Sequence, residues 1–288
     1  MKPAPFIYHA PETLDEALGL LSSLDDAKVL AGGQSLIPIL ALRLSRFDHL
    51  IDLGRVAGLS GIRRHDGTLT IGAMTTEADI EESPEVAAAA PLISRATPLI
   101  GHFQIRNRST IGGSIAHADP SAEYPAVAVA LDATLELRNA SGARQVAAAD
   151  FFEATFMTAA AEDEILTAVH VPVWSGPGGF AVEEVARRHG DFAIVGVAAG
   201  VQVEAGQVTR AAAALFGVGG TPHRATAAEA ALAGSGAQDV DLEAVGRLAA
   251  EGLEPSGDVH ASAAYRRELA AVLTARAFDK AIKEALGQ

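Results

Sequence analysis

The chain has 288 residues, 49% of them hydrophobic, 20% charged and 5% aromatic, with a formal charge of -14, a pI near 5.0 and a mean hydropathy of +0.21. The length predicts two or three packed subdomains, the apolar share excludes disorder, and an acidic chain poor in rings excludes a nucleic-acid platform. Cysteine is absent, which excludes disulfides, a thiol nucleophile and an iron–sulfur cluster ligated by this chain, so redox chemistry has to come from a bound organic cofactor or another chain.

In chain order, Thr13 and Glu16 form a capping box that opens a helix through Leu14, Ala17, Leu18 and Leu21. A strand at Lys28–Leu30 then enters the loop Ala31–Ser35, and the apolar stretch Leu36–Leu44 reads as a helix with Pro38 in its first turn. A second strand is expected over His49–Leu53, followed by a hairpin across Arg63–Ile71 that turns at Asp66–Gly67. Helical patterning covers Ala78–Glu82 and Val86–Ile100, broken at Pro91 and Pro98. A second Gly-Gly loop lies within 106–114 and leads to a helix at Ser121–Leu131 and a strand at Thr134–Arg138. The strand Ile165–Val171 ends at Pro172, and the Gly/Pro-rich loop Ser175–Gly179 reads as a domain boundary. Three antiparallel strands, Phe180–Arg188, Ile194–Glu204 and Val208–Phe216, precede helices at Thr226–Ala233, Leu242–Glu251 and from Ala261 toward Leu286. The longest apolar run, Phe192–Val201, is half of the roughly 20 residues a membrane span requires. No signal peptide is evident, so the expected location is the cytoplasm.

The loops AGGQS at 31–35 and TIGGS at 110–114 are the most informative features. Adjacent glycines let consecutive backbone N–H groups converge on an anion, the start of a helix adds a favourable dipole, and Ser35 or Ser114 can add a donor. The nearby cations are Arg106 and Arg108. No lysine follows the glycines and no spaced G-x-G-x-x-G occurs, which disfavours nucleotide hydrolysis and a dinucleotide fold of that type. A single Gly-Gly pair among 28 glycines reads as a turn; two matching loops favour a phosphate ligand. The histidines are scattered, and His117 with Asp119 lacks a third ligand for a metal. Glu183 and Glu184 sit on adjacent positions of a strand, so their carboxylates face opposite sides; a solvated edge accounts for them. Tyr265, Arg266 and Arg267 on the last helix read as packing plus a solvated face.

AGGQS, QIRNRSTIGGSIAHADPSAEYP at 104–125, ARRHGDFAIVGVA at 186–198 and SAAYRRELAAVL at 262–273 together resemble the FAD-binding medium subunit of the molybdenum hydroxylases, the family of carbon monoxide dehydrogenase medium chains and of the flavin subunits of bacterial xanthine and nicotine dehydrogenases. The resemblance implies an α+β chain. Residues 1–177 would form an FAD-binding domain of the p-cresol methylhydroxylase type, with subdomains of about 1–57 and 58–177, and residues 178–288 a three-stranded antiparallel sheet with helices. It also implies noncovalent FAD held by Leu30, Ala31, Gly32, Gly33, Gln34, Ser35 and Leu36 and by Thr110, Ile111, Gly112, Gly113 and Ser114. Glu123 would lie near the adenosine portion, Ile100 and Leu166 near the rings, and Phe192 beside the isoalloxazine. Many relatives have asparagine where this chain has Ser114, and a lysine near the flavin on the first strand of the C-terminal domain, where this chain has Glu183. No residue is expected to act as a catalytic acid or base. The implied function is electron transfer from two 2Fe–2S clusters of a small partner chain to an external acceptor, with molybdopterin on a large third chain, in a heterotrimer or its dimer. A stand-alone flavin oxidase of the same fold and a noncatalytic phosphate-ligand module are the alternative readings.

Overall fold

The computed structural model describes all 288 residues. The chain begins with β1 (Ile7–His9), α1 (Leu14–Ser23), β2 (Ala27–Leu30), α2 (Leu36–Ala41) and β3 (His49–Asp52). These strands form a parallel sheet in the order β1-β3-β2. Thr13 caps α1 through Glu16 N–H, and Ala17, Leu18 and Leu21 bury the apolar stripe against Ile51, Leu53 and Val56. β1 has no expected counterpart, since a three-residue edge strand with exposed side chains carries no alternation to read. α2 ends at Ala41, shorter than expected, because Arg43 turns into the left-handed region at φ 57°.

The second unit contains β4 (Ile62–His65), β5 (Thr68–Gly72), α3 (Glu77–Glu81), α4 (Pro84–Ala89), α5 (Pro91–Ala96), α6 (Phe103–Arg106), α7 (Ile111–His117) and α8 (Glu123–Ala130), then β6 (Thr134–Asn139), β7 (Gly142–Ala147), α9 (Ala148–Phe151), β8 (Phe152–Ala154), β9 (Met157–Thr158) and β10 (Ile165–Pro172). β4, β5, β10, β6 and β7 make an antiparallel five-stranded sheet in that order. β7 is absent from the expectation because its burial pattern is nearly all exposed. α8 is buried on every residue, including Tyr124, whose hydroxyl meets Thr97 Oγ1 at 2.8 Å.

The last unit contains β11 (Gly178–Val185), β12 (Val195–Glu204), β13 (Gln207–Phe216), β14 (His223–Arg224), α10 (Thr226–Leu232), α11 (Leu242–Ala250) and α12 (Ala263–Ala285). Its antiparallel sheet has four strands, not three, because the two-residue β14 closes against β13. β11 begins at Gly178, so the final glycines of the expected boundary loop are strand residues. Gly179 packs on α12 so closely that a Cβ there would lie 1.9 Å from the Ala281 carbonyl oxygen. One face of this sheet packs on α10–α12. The other joins the core of the second unit through Phe180, Ala198, Ala214 and Phe216. No helix is long and apolar enough to cross a membrane.

Candidate functional site

β2 ends in Leu30, and Ala31–Ser35 carry the chain into α2. Gly33 takes φ +75°, a conformation that excludes most side chains. The turn leaves the N–H groups of Gly32, Gly33, Gln34 and Ser35 without a backbone acceptor; the first bonds of α2 run from Ile37 N–H to Gly33 O (3.1 Å) and Ile39 N–H to Ser35 O (3.2 Å). Ser35 makes no capping bond, so its hydroxyl remains available. Four successive donors in one short loop form a concave seat for an anion. α2 has only six residues, so these amides rather than a long macrodipole carry the attraction.

The second loop works differently, which corrects the expectation of two equivalent amide cradles. Thr110 caps α7, accepting from Gly113 N–H at 3.1 Å. Ile111, Gly112 and Ser114 N–H donate to Thr75 O (3.2 Å), Ala73 O (2.9 Å) and Thr110 O (3.0 Å). Its first-turn amides are therefore engaged within the chain, and the glycines there answer to packing. A Cβ on Gly112 would lie 2.4 Å from the Ala73 Cβ, and one on Gly113 3.2 Å from the Ala31 Cβ. On the first loop, a Cβ on Gly32 would lie 2.1 Å from the Arg108 carbonyl oxygen. The two loops thus abut, and the second is the wall against which the first is shaped. Ser114 Oγ has no protein partner and is the donor this wall can offer.

Arg106 is unavailable to an anion at the loops. Its guanidinium forks onto Glu81 at 2.7 and 3.1 Å and reaches the carbonyls of Ile100 (3.2 Å) and Gly101 (3.4 Å), which fixes the segment beside it. Arg108 is exposed. Leu166 lies buried on β10 and Ile100 packs on the same core. Phe192 is 61% exposed in the loop between β11 and β12. That loop reaches the Ile100 segment, since a Cβ on Gly190 would lie 2.8 Å from the Gly101 carbonyl oxygen and His189 stacks on His102 with centroids 6.0 Å apart.

Three carboxyls were not legible as a group. Burial pushes Glu77 up to about 8, against a hydrogen bond from Ser109 and the charge of Arg106. Burial and the charges of Glu184, Glu77 and Asp119 push Glu123 up to about 8, and burial pushes Glu184 up to about 7. Glu184 corrects the reading of the 183–184 pair as a solvated edge. Phe180 and Val182 face the core shared with the second unit, whereas Ala181 and Val185 face the helices. Period two puts Glu184 on the first face and Glu183 on the second, where it pairs with Lys280. The residue on β11 that faces the second unit is thus Glu184, whose charge acts on Glu123, and the alternation Phe180–Val182–Glu184 was the available signal. Arg266, expected on a packing or solvated face, is buried and ties Asp258 (2.7 Å) to the carbonyls of Ile194 and Gly217. Asp119 Oδ1 accepts Ser121 N–H at 2.9 Å, and no group of three His, Cys, Asp or Glu side chains could hold a metal ion.

An amide seat with a close-packed glycine wall, between a parallel βαβ unit and an antiparallel sheet, has the donor set of a domain for a phosphate-bearing organic cofactor. The family models agree. Residues 4–174 match the FAD binding domain in molybdopterin dehydrogenase, and residues 180–281 the CO dehydrogenase flavoprotein C-terminal domain. The chain therefore belongs to the FAD-binding medium subunits of the molybdenum hydroxylases, a family of oxidoreductase subunits. It is 40% identical to the 6-hydroxypseudooxynicotine dehydrogenase complex subunit alpha of Paenarthrobacter nicotinovorans, over 99% of this chain and 97% of that one. It is 38% identical to the carbon monoxide dehydrogenase medium chain of Hydrogenophaga pseudoflava, over 98% of both. Among solved structures it resembles carbon monoxide dehydrogenase from Hydrogenophaga pseudoflava (TM-score 0.95, 41% identity, 98% of both chains) and quinoline 2-oxidoreductase from Pseudomonas putida 86 (TM-score 0.93, 37% identity, 100% and 99%).

Proposed function

We propose that this chain is the electron-relay subunit of a molybdenum hydroxylase, taking electrons from two 2Fe–2S clusters of a small partner chain and passing them to an external acceptor. Molybdopterin and substrate hydroxylation would reside on a large third chain. The observation that carries this reading is the row of unengaged N–H groups at Gly32–Ser35, backed by the second loop. FAD, when bound, supplies the redox chemistry. The amides of Gly32–Ser35 hold its diphosphate, each bond to a charged acceptor contributing about 1.5–3 kcal/mol, and Leu30 and Leu36 frame the seat. Thr110–Ser114 supply the wall and a hydroxyl, while Ile100, Leu166 and Phe192 exclude water from the rings. Glu77 and Glu123, with pKa values near 8, are largely uncharged at neutral pH, which spares the bound anion their repulsion. The reading divides the chain into an FAD-binding domain at 1–177, with subdomains of about 1–57 and 58–177, and a C-terminal domain at 178–288.

The test is copurification from the native organism followed by cofactor and metal analysis. An assembly containing FAD, iron, sulfide and molybdenum is expected. A lone chain that turns over an organic substrate with oxygen would overturn the relay reading in favour of an oxidase, and one that takes up no FAD would overturn both.

A further inference from the structure

The five-stranded sheet has a second face that neither the seat nor the core uses. Leu69, Ile71, Leu135, Leu137 and Val169 point into the core of the second unit. Alternation therefore turns Thr70 on β5, Glu136 and Arg138 on β6, and His170 on β10 to the opposite face. Arg63 on β4 joins them, since its neighbour Ile62 packs on the core. Loop 57–61 lies across this face and rests on the sheet at Gly72, where a Cβ would lie 2.4 Å from the Leu59 carbonyl oxygen. Ala168, paired with Gly72 across β10 and β5, is too short to fill the space beside it. The result is a half-enclosed cleft of about 380 Å³ between the first unit and the sheet, within the size range of small-molecule sites. It shares no residue with the two glycine loops or with Ile100, Leu166 and Phe192.

The charges of the cleft are unbalanced. Glu136 is the one carboxylate among its lining side chains, and it is already committed: Oε1 accepts from Thr167 Oγ1 at 2.7 Å, and Oε2 lies 3.8 Å from His170 Nε2. That nitrogen is buried without a hydrogen bond, and Thr70 Oγ1 meets Nδ1 at 3.0 Å, so the ring is held beside the carboxylate. Arg63 and Arg138 also line the cleft and have neither a carboxylate nor a carbonyl to bond within the chain. Two arginines against one committed carboxylate make the cleft positive in a chain of formal charge -14, and its walls concentrate that field on an incoming anion. The arginines enter from opposite sides, because β5 and β10 lie between β4 and β6. Three strand spacings of about 4.8 Å separate their backbones by about 14 Å, so a ligand with an anionic group at each end matches them better than one compact oxyanion. Guanidinium forks take planar carboxylates in bidentate geometry. We propose that this cleft binds a small organic dicarboxylate, one carboxylate on Arg63 and the other on Arg138, lying across Ala168 beneath loop 57–61. Such a site is independent of the relay reading.

The experiment titrates the full chain by calorimetry with succinate, acetate and inorganic phosphate, and repeats the succinate titration on Arg63→Gln, Arg138→Gln and, as a control, Arg64→Gln. Succinate is expected to bind, with acetate and phosphate at least about tenfold weaker. Each of the first two substitutions removes the charged contact at one end, so each is expected to weaken succinate at least about tenfold, to the level of acetate. Arg64 lies on β4 but does not line the cleft, so Arg64→Gln is expected to bind succinate as wild type, which separates a site from attraction to charge in general. All three arginines are exposed, and the unfolding temperatures of the variants without ligand are expected to match that of wild type. Loss of folding therefore cannot account for weaker binding. Succinate that binds no tighter than acetate, or binds the first two variants as tightly as wild type, overturns the site, as does equal weakening by Arg64→Gln. Phosphate that binds more tightly than succinate, and does so through the same two arginines, overturns the two-ended ligand.

Discussion

Gly32→Ala separates a glycine needed for packing from one needed for its backbone angle. The added Cβ would meet the Arg108 carbonyl oxygen at 2.1 Å, its carbon at 2.7 Å and the Ser109 Cα at 2.7 Å. These are backbone atoms, so one loop has to retreat by more than about 1 Å to reach ordinary contact. Overpacking of that kind destabilises by about 1–3 kcal/mol. The larger effect falls on binding, because the retreat misaligns the amide row. Loss of two of its four bonds to a charged diphosphate removes about 3–6 kcal/mol, a weakening of FAD binding by about 10²–10⁴. Gly33→Ala is the comparison. Its Cβ would meet only the flexible side chains of Ile37 and Leu30 at 3.2 Å, but at φ +75°, which destabilises the fold by about 1–2 kcal/mol with a smaller loss of affinity. The assay is titration of apoprotein with FAD by fluorescence, beside thermal unfolding of the same samples. A Gly32→Ala protein that folds normally and binds FAD within about threefold of wild type would refute the argument that the second loop shapes the first.

Three more outcomes follow from groups outside the loops. Glu77, Glu123 and Glu184 have folded pKa values raised above 4.5, so folding takes up protons. Their contribution to stability is full at and below about pH 4.5 and falls as pH rises to about 7–8, by at most about 1.4 kcal/mol per pH unit for each group, with half-buried Glu184 the smaller share. Glu123→Gln should flatten the unfolding midpoint measured from pH 5 to pH 8, and an unchanged profile would show that Glu123 is ionised in the fold. Arg106→Met strands Glu81 and the carbonyls at Ile100 and Gly101, so chemical denaturation should show a loss of about 3–5 kcal/mol, faster hydrogen exchange of segment 98–101 and an unchanged start of α2; uniform loosening would contradict this. Arg266→Lys cannot span Asp258, Ile194 O and Gly217 O together and should destabilise by about 1–3 kcal/mol, a loss checked by urea denaturation at fixed pH.

Much of the fold was legible because its signals are local. Thr13 with Glu16 announced α1, and Asp66–Gly67 announced the β4–β5 turn at positive φ in both residues. β12 and β13 were read from their apolar runs. What was missed has few local marks. β1 and β7 are largely exposed and owe their existence to ladders with β3 and β6, so nothing within either segment distinguishes them from loops. The end of α2 at Ala41 was missed because Leu42 and Leu44 continue the apolar pattern although the fold turns them outward.

The site shows the same division more sharply. Two Gly-Gly loops are alike as strings, and reading both as anion seats is what the sequence permits. Only the fold reveals that Gly112 is glycine because Ala73 is behind it, and that the amides following Thr110 already have acceptors. The distinction matters for redox function. A seat made of free amides binds charge, whereas a wall made of engaged ones holds its shape whether or not cofactor is present, so the seat can be built before FAD arrives. Placing neutral carboxyls rather than lysines behind that wall then lets a chain with 36 acidic residues accept a diphosphate without a counter-cation, provided that Glu77 and Glu123 remain protonated. Ionisation of Glu77 and Glu123, whose pKa values burial raises to about 8, is therefore expected to weaken FAD retention as pH rises, and a titration of FAD affinity across pH 6–9 that stayed level would break the link between the carboxyls and the seat.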